Sequence, residues 1–297
     1  MHRIIINIFI LVTVLAVNPV LAAPVLVEPE WLDKKLGKEG LVLIDMSSED
    51  TQYERFHIPG AYYLPYQVLI KMDKKKGFPE AVSDLRMNKI LGYFGISENS
   101  QVVIYDDMGG LNAGRLFWQL ERMGHKQVSV LNGGLVKWIL SGRKVTNEIT
   151  SPVPVKHLLK DTVTKRENHA DIEDVRAAIK DPSTVILDVR SDVEYLGDSK
   201  KKKGGHVPGA RWWPWQQGVD FENGFARADK KKIEQLLQKA GVSNKQKPVI
   251  VYCRSGHRAS QAYLTLRSLG YKNVKLYANS MNEYGRSGSK LVQGKNP

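Results

Sequence analysis

The sequence predicts an α/β fold of two tandem domains, each a mostly parallel sheet flanked by helices. Two observations lead to this prediction. Short apolar, β-branched runs alternate with helical stretches, as in parallel sheets whose strands are buried on both faces. The same series of segments occurs twice, with a period of about 146 residues. The chain has 297 residues, a length that suits two domains.

Three apolar runs in each copy predict the central strands, because each is short, β-branched and bounded by polar or turn residues. They are LVLID (41–45), QVVIYD (101–106) and QVSVL (127–131) in the first copy, and TVILDV (184–189), PVIVYC (248–253) and NVKLY (273–277) in the second. Two further segments, HIPGA (57–61) and HVPGA (206–210), also correspond. The match in order and spacing indicates a duplicated unit.

Helices are predicted between the second and third strands of each copy. They run from Arg115 to Met123 and from Ala259 to Leu269, and each ends at a glycine, Gly124 or Gly270, as helices commonly do. Residues 145–164 contain two prolines and little helical periodicity, which is typical of a linker. We therefore assign the first domain to residues 24–144, the linker to 145–164 and the second domain to 165–297.

The N-terminus has the pattern of a secretory signal peptide. A short basic start precedes an apolar run, and a small-residue site ends at Ala22. A retained membrane anchor is the alternative, but the run is short for a bilayer span and is interrupted by Asn7 and Pro19. We expect cleavage after Ala22, so that residues 1–22 are removed and the mature protein is periplasmic or secreted with no stable membrane anchor.

Charge and composition exclude several classes of function. The formal net charge is +13, and lysines cluster at 74–76, 200–203 and 230–232. These clusters indicate solvated surfaces, or a general attraction for anions. Nucleic acid is an improbable partner, because no binding motif is present and the protein is expected to be exported. The seven histidines show no ligand spacing and there is one cysteine, so we expect neither a metal nor a cofactor.

Cys253 is the only cysteine, so it cannot form an intramolecular disulfide. It lies at the predicted carboxyl end of a strand, where open α/β sheets bind ligands, and a short loop leads from it into a helix. Such a loop directs backbone N–H groups inward and suits an anion or a thiolate, and Arg254 and Arg258 add positive charge. The charge of His257 is left open, and a loop or surface position is favoured for it over a general base. Gly256 permits the tight turn. A reactive nucleophile is therefore favoured over a buried structural cysteine.

Three motifs together resemble the rhodanese sulfurtransferases in their two-domain form. They are DVRSDVEY (188–195), the pair HIPGA and HVPGA, and CRSGHR (253–258). The resemblance covers nearly all of the mature chain. It implies that Cys253 attacks the sulfane sulfur of a donor, becomes a persulfide and passes the sulfur to an acceptor. Asp106 stands at the matching position of the first copy, so this domain is expected to be non-catalytic.

The loop after the cysteine bears on the substrate. Related phosphatases and arsenate reductases place five residues between cysteine and arginine, whereas four separate Cys253 from Arg258. The cationic loop, with Arg254 and Arg258, favours thiosulfate as the donor, with cyanide, a thiol or a protein as acceptor. A mercaptopyruvate sulfurtransferase, or a periplasmic sulfur carrier or redox partner with the same persulfide, remains an alternative. The predicted donor-binding residues are Arg254, Ser255, Gly256, His257, Arg258 and Arg190.

Other family positions receive supporting roles. Many members have an arginine where this chain has Glu194, and for Arg190 an ion pair with Glu194 is favoured over contact with the donor. Turn and packing roles are expected for Asp188, His206, Pro208 and Gly209, and for Asp45, His57, Pro59 and Gly60 in the first copy. Trp212, Trp213 and Trp215 are expected either to wall the site or to lie in the core. The segment YANSMNEYG (277–285) replaces a turn that is often rich in glycine and tryptophan, so one pocket wall is expected to differ.

Overall fold

The computed structural model describes residues 22–155, 166–198 and 204–297. The predicted signal peptide, except its last residue, lies outside these ranges, as do residues 156–164 of the predicted linker. No helix within the described ranges is long and apolar enough to cross a membrane.

The first domain alternates strands and helices from the start of the described chain. A 3₁₀ helix, Tyr66–Leu69, lies between its third and fourth strands. The elements are β1 (Leu26–Val27), α1 (Pro29–Asp33), β2 (Leu41–Asp45), α2 (Asp50–Arg55), β3 (Ala61–Tyr63), β4 (Ile70–Asp73), β5 (Phe78–Ala81), α3 (Asp84–Tyr93), β6 (Gln101–Tyr105), α4 (Leu111–Arg122), β7 (Val128–Leu131) and α5 (Gly134–Leu140).

The second domain repeats this order, with 3₁₀ helices at Arg166–Asn168 and Trp215–Gly218. Its elements are β8 (His169–Ala170), α6 (Ile172–Lys180), β9 (Val185–Asp188), α7 (Asp192–Leu196), β10 (Arg211–Trp212), β11 (Val219–Asp220), β12 (Ala226–Arg227), α8 (Lys230–Lys239), β13 (Val249–Tyr252), α9 (His257–Ser268), β14 (Val274–Tyr277) and α10 (Ser280–Tyr284). The α/β prediction and the duplication are confirmed.

Within the described residues, each domain has one five-stranded parallel sheet, and the two sheets share a topology. The strand order is β1-β7-β6-β2-β3 in the first domain and β8-β14-β13-β9-β10 in the second. Each domain adds a two-stranded antiparallel ribbon, β4–β5 or β11–β12. All strands of a parallel sheet point the same way, so β6 and β13 end at the same edge as their neighbours. The loops that follow them carry Asp106 and Cys253.

The helix after β6 begins earlier than the sequence predicts, at Leu111 rather than Arg115. The physical reason is Asp106, whose Oδ2 accepts hydrogen bonds from the N–H groups of Asn112 and Ala113 in the first turn. A carboxylate from outside the helix thus satisfies donors that would otherwise lack partners. The apolar pattern alone does not reveal this cap.

Helices α4 and α9 pack directly against each other and join the two domains. Gly114 makes this close approach possible, since a Cβ placed there would lie 2.8 Å from the Ser260 carbonyl oxygen. Across the same seam, Arg267 forms an ion pair with Glu121, which also accepts the hydroxyl hydrogen of Tyr263. One cluster of buried apolar side chains continues through both domains. The seam is therefore a packed core and not a loose hinge.

Candidate active site

Cys253 directly follows β13, and its side chain is buried, with 1% of its surface exposed. The N–H of Gly256 donates to Sγ at 3.1 Å. Gly256 adopts φ +84° as the cap of α9, and a Cβ there would lie 2.4 Å from the Ala278 carbonyl oxygen. The loop can close over the sulfur because this position has no side chain.

Ser280 holds the backbone of Cys253 from the adjacent element. Its Oγ accepts the N–H of Cys253 at 3.0 Å, while the Cys253 carbonyl accepts the N–H of Met281 at 3.1 Å. Ser280 has φ +52°, a conformation that non-glycine residues rarely adopt. Gly134 takes a similar φ, +54°, beside Asp106 in the first domain. The segment YANSMNEYG thus replaces a glycine turn with a serine that fixes the cysteine.

Asp106 occupies the corresponding place in the first domain and fills its own loop. Four backbone N–H groups donate to its carboxylate at 2.9–3.0 Å, from Met108, Gly110, Asn112 and Ala113. Burial raises the pKa of Asp106, while these hydrogen bonds act in the opposite direction. The carboxyl group of Asp106 therefore fills the first loop from within, and the non-catalytic role of this domain stays a prediction.

The expected ion pair between Arg190 and Glu194 is wrong. Arg190 instead pairs with Asp188, its Nη2 lying 2.5 Å from Oδ2, and donates to the Gly205 carbonyl at 2.8 Å. Tyr252 donates its hydroxyl hydrogen to the same Asp188 carboxylate at 2.7 Å. Asp188 and Arg190 are both buried, and this network attaches the end of β9 to β13, beside Cys253.

Glu194 pairs with Arg258. The two Arg258 Nη atoms donate to the two Glu194 oxygens at 2.6 and 2.8 Å, a bidentate contact between α7 and α9. Glu194 is held in place by a capping box with Ser191 at the start of α7. Arg258 lowers the pKa of Glu194 to about 2. The i,i+4 spacing suggested Arg190 as the partner of Glu194, whereas the loop before α9 brings Arg258 to the carboxylate.

Arg254 is exposed, and no side-chain partner for it is found among the described residues. Its backbone carbonyl accepts the N–H of Asn282, which ties the loop to α10. Ser255 is half-buried and Gly256 is buried. Of the predicted donor ligands on this loop, Arg254 keeps its positive charge available to a solute.

His257 lies at the domain seam and not on the surface. Its Nε2 is 2.7 Å from Oδ1 of Asn112 in the first domain. Asn112 donates its amide to the Met46 carbonyl, so its Oδ1 accepts and Nε2 of His257 carries the hydrogen. Burial, reinforced by Arg115 and Arg258, lowers the pKa of His257 to about 4. His257 is therefore neutral near neutral pH and adds no positive charge to the site.

Two residues of the first domain also reach the site. The Tyr66 ring packs on His257, with ring centroids 4.4 Å apart. The Arg115 side chain is buried, and a Cβ on Gly256 would lie 2.9 Å from its Nη1. Neither residue was predicted from the sequence, because both belong to the copy without a cysteine. The position of Tyr66 after HIPGA, which matches that of the tryptophans after HVPGA, was the signal that could have found it.

The supporting residues have packing roles. His57 and His206 are buried, stack on Tyr53 and Tyr195 at 3.9 and 3.7 Å between centroids, and hydrogen-bond backbone carbonyls. Trp213 and Trp215 lie in the core, which decides between the alternatives left open for them. Trp212 is more exposed and donates to the Arg190 carbonyl at 3.0 Å.

Comparison with known proteins gives consistent matches over both halves of the chain. The model of the Rhodanese-like domain matches twice, at residues 28–141 and 171–287. The chain is 34% identical to a protein of Pseudomonas aeruginosa named thiosulfate sulfurtransferase, over 88% of this chain and 94% of that protein. It is 30% identical to the sulfur carrier protein TtuD of Thermus thermophilus, over 88% and 93%.

Solved structures show the same architecture. YnjE has a TM-score of 0.76 at 25% identity and covers 91% of this chain and 68% of its own. The anaerobic ergothioneine biosynthesis enzyme of Chlorobium limicola has a TM-score of 0.80 at 20% identity, over 91% of this chain and 70% of that one. At this identity the second likeness concerns the fold alone.

Proposed function

The chain belongs to the rhodanese family and is a two-domain sulfurtransferase, and on this premise we propose that it moves the sulfane sulfur of thiosulfate through a persulfide on Cys253. Cyanide or a thiol then takes the sulfur. The observation that supports this most strongly is the Cys253 loop, where a buried sulfur accepts an N–H from Gly256 and the next residue, Arg254, is an exposed cation. The loop supplies a nucleophile and positive charge in one place.

Two displacements make up the proposed reaction. In the first, the Cys253 thiolate attacks the outer sulfur of thiosulfate, a new S–S bond forms, the S–S bond of the donor breaks, and sulfite leaves with the electron pair. In the second, cyanide attacks the outer sulfur of the persulfide, thiocyanate leaves, and the thiolate returns. No oxidant, proton donor or metal is needed for either step. A site that supplies hydrogen bonds and positive charge is sufficient for both steps.

The phosphatase and arsenate reductase alternatives are disfavoured by Arg258. Those activities need the loop arginine to bind the oxyanion, whereas here both Nη atoms of Arg258 are bound to Glu194. The loop is also one residue shorter than theirs. The sulfur-carrier alternative is supported by the name of the Thermus relative. Carrier and enzyme would use the same persulfide and differ in the acceptor.

Sulfur uptake can be measured directly by intact mass. We expect wild-type protein treated with thiosulfate to gain one sulfur atom, Cys253→Ser to gain none, and cyanide to reverse the gain with release of thiocyanate. Absence of an adduct on the wild type, or an equal adduct on Cys253→Ser, would contradict the proposal. Faster single-turnover uptake from 3-mercaptopyruvate than from thiosulfate would assign a different donor. Discharge to a protein thiol but not to cyanide would favour a carrier.

A further inference from the structure

Arg115, in the second turn of α4, is a buried cation with no carboxylate partner in the part of the chain that the structure describes. It is 1% exposed, and its Nε and Nη1 have no hydrogen-bond acceptor among the described residues. The ring of Trp118 lies 5.1 Å from its guanidinium carbon and gives it an apolar face. A buried guanidinium with unpaired donors is costly unless an anion completes it. Its environment therefore suits a charged ligand.

Arg115 points toward the cysteine loop across the domain seam. Its Nη1 lies so close to Gly256 that a Cβ there would be 2.9 Å away, and the Gly256 N–H is itself 3.1 Å from Sγ. The corresponding residue of α9 is Gln261, which reaches the other way: its Nε2 is 3.4 Å from the Gly109 carbonyl in the Asp106 loop. Each helix thus places one side chain against the opposite loop, and the cation faces the loop with the sulfur.

Of the described arginines around Cys253, two have no carboxylate partner and can bind an anion: Arg115 and Arg254. Arg258 is neutralised by Glu194 and Arg190 by Asp188, both through short contacts. Arg254 has no side-chain partner among the described residues, but it is exposed and so is screened by salt. Arg115 keeps its charge in a place from which water is excluded, where a charge acts most strongly.

We propose that Arg115, supplied by the domain that lacks the cysteine, is the buried half of the anion site at Cys253 and binds the anionic sulfur species there. The inference rests on the proposed function and deepens it: the species are the thiolate, the thiosulfate dianion and the persulfide anion. At each step of the reaction, at least one negative charge lies on a sulfur atom or on the oxygen atoms of thiosulfate or sulfite. The exposed Arg254 attracts the donor from solution, and the buried Arg115 stabilises the anion once it is bound at Cys253.

The test compares two alkylating reagents on the single cysteine. Iodoacetate and iodoacetamide react at the same carbon but differ in charge, so the ratio of their rates at Cys253 reports the local attraction for anions. Because both reagents react with the same thiolate, changes in the reactivity of the thiolate cancel in the ratio. We expect Arg115→Gln to lower this ratio about tenfold, the effect of losing one hydrogen bond to a charged group. Arg115→Lys should retain most of the ratio.

Control variants separate this effect from general damage. Arg122 lies two turns further along α4, packs on the same Trp118 ring at 5.5 Å and pairs with Asp84, so Arg122→Met should leave the ratio unchanged. Arg254→Gln should lower the ratio at low salt, with an effect that disappears at high salt. The effect of Arg115→Gln should persist at high salt, because its charge is buried.

Several outcomes would overturn the inference. An unchanged ratio in folded Arg115→Gln would do so, as would equal losses in Arg115→Gln and Arg122→Met. If Arg115→Gln does not fold, the wild type provides the test: its preference for iodoacetate must persist at high salt, and loss of that preference contradicts a buried cation. Failure of wild type to take sulfur from thiosulfate would instead refute the proposed function and leave the alkylation ratios interpretable.

Discussion

His257, the first residue of α9, joins the Cys253 loop to the first domain. The sequence left its charge open, and the domain seam buries it against Tyr66 and Asn112. Burial disfavours the imidazolium, and Arg115 from α4 and Arg258 from its own helix disfavour it further, so the pKa falls to about 4. A neutral ring then serves as a hydrogen-bond donor that connects the two domains.

This depressed pKa has a consequence for stability that His257→Gln should remove. Between the unfolded pKa of about 6.5 and the folded pKa of about 4, the unfolded chain binds a proton that the folded chain does not, so stability falls as pH falls. We expect wild type to lose about 2 kcal/mol more than His257→Gln between pH 7 and pH 4.5. Urea unfolding at both pH values measures this difference. Parallel pH profiles for the two proteins would contradict a neutral His257.

At the scale of elements, the loop from β13 to α9 depends on a residue with no side chain. Gly256 combines φ +84° with close contacts to the Ala278 carbonyl oxygen and to Arg115. Gly270, after the other end of α9, has a similar φ of +90°, but a methyl group on its Cα would meet nothing within 4 Å. The two glycines share the conformational requirement and differ in the space around them.

Substituting each glycine with alanine separates these two requirements. Gly270→Ala should lower the free energy of unfolding by about 1 kcal/mol and leave sulfur uptake intact. Gly256→Ala should in addition displace the loop from Sγ and slow sulfur uptake from thiosulfate about hundredfold, as small displacements of reacting groups can do. Quenched single-turnover mass measurement gives the rate, and thermal unfolding gives the stability. Equal uptake by both variants would show that the loop tolerates a side chain there.

At the scale of the whole molecule, the sequence could supply the duplicated fold and the place of Cys253 at the end of a strand, ahead of a helix. Apolar runs, matched motifs and the single cysteine are local patterns, and the strands they predict agree with the structure to within one or two residues. The seam contacts of Arg115 and Asn112 could not be predicted, since both are far from Cys253 in sequence and lie in the copy without a cysteine, whereas Tyr66 could have been found from its match to Trp215. The partner of Glu194 was missed for a related reason: a loop, and not helical spacing, brings Arg258 to it.

The composite site depends on how closely α4 and α9 approach, and Gly114 sets that distance. A Cβ there would lie 2.8 Å from the Ser260 carbonyl oxygen and 3.2 Å from the Gln261 nitrogen, which are backbone atoms that cannot turn aside. Gly114→Val should therefore push the helices apart, move the neighbouring Arg115 away from Gly256, and lower the free energy of unfolding by about 2 kcal/mol.

We expect Gly114→Val to lose the preference of Cys253 for iodoacetate and to take up sulfur more slowly, although both domains remain folded by circular dichroism. Gly124→Ala is the matched control, because Gly124 ends the same helix at φ +85° with nothing within 4 Å. That variant should be destabilised by strain alone, by about 1 kcal/mol, and should keep wild-type sulfur uptake and alkylation ratio. If Gly114→Val also keeps wild-type sulfur uptake and alkylation ratio, the Cys253 loop does not depend on the close approach of the first domain. A selective loss would show that the domain without a cysteine forms part of the active site.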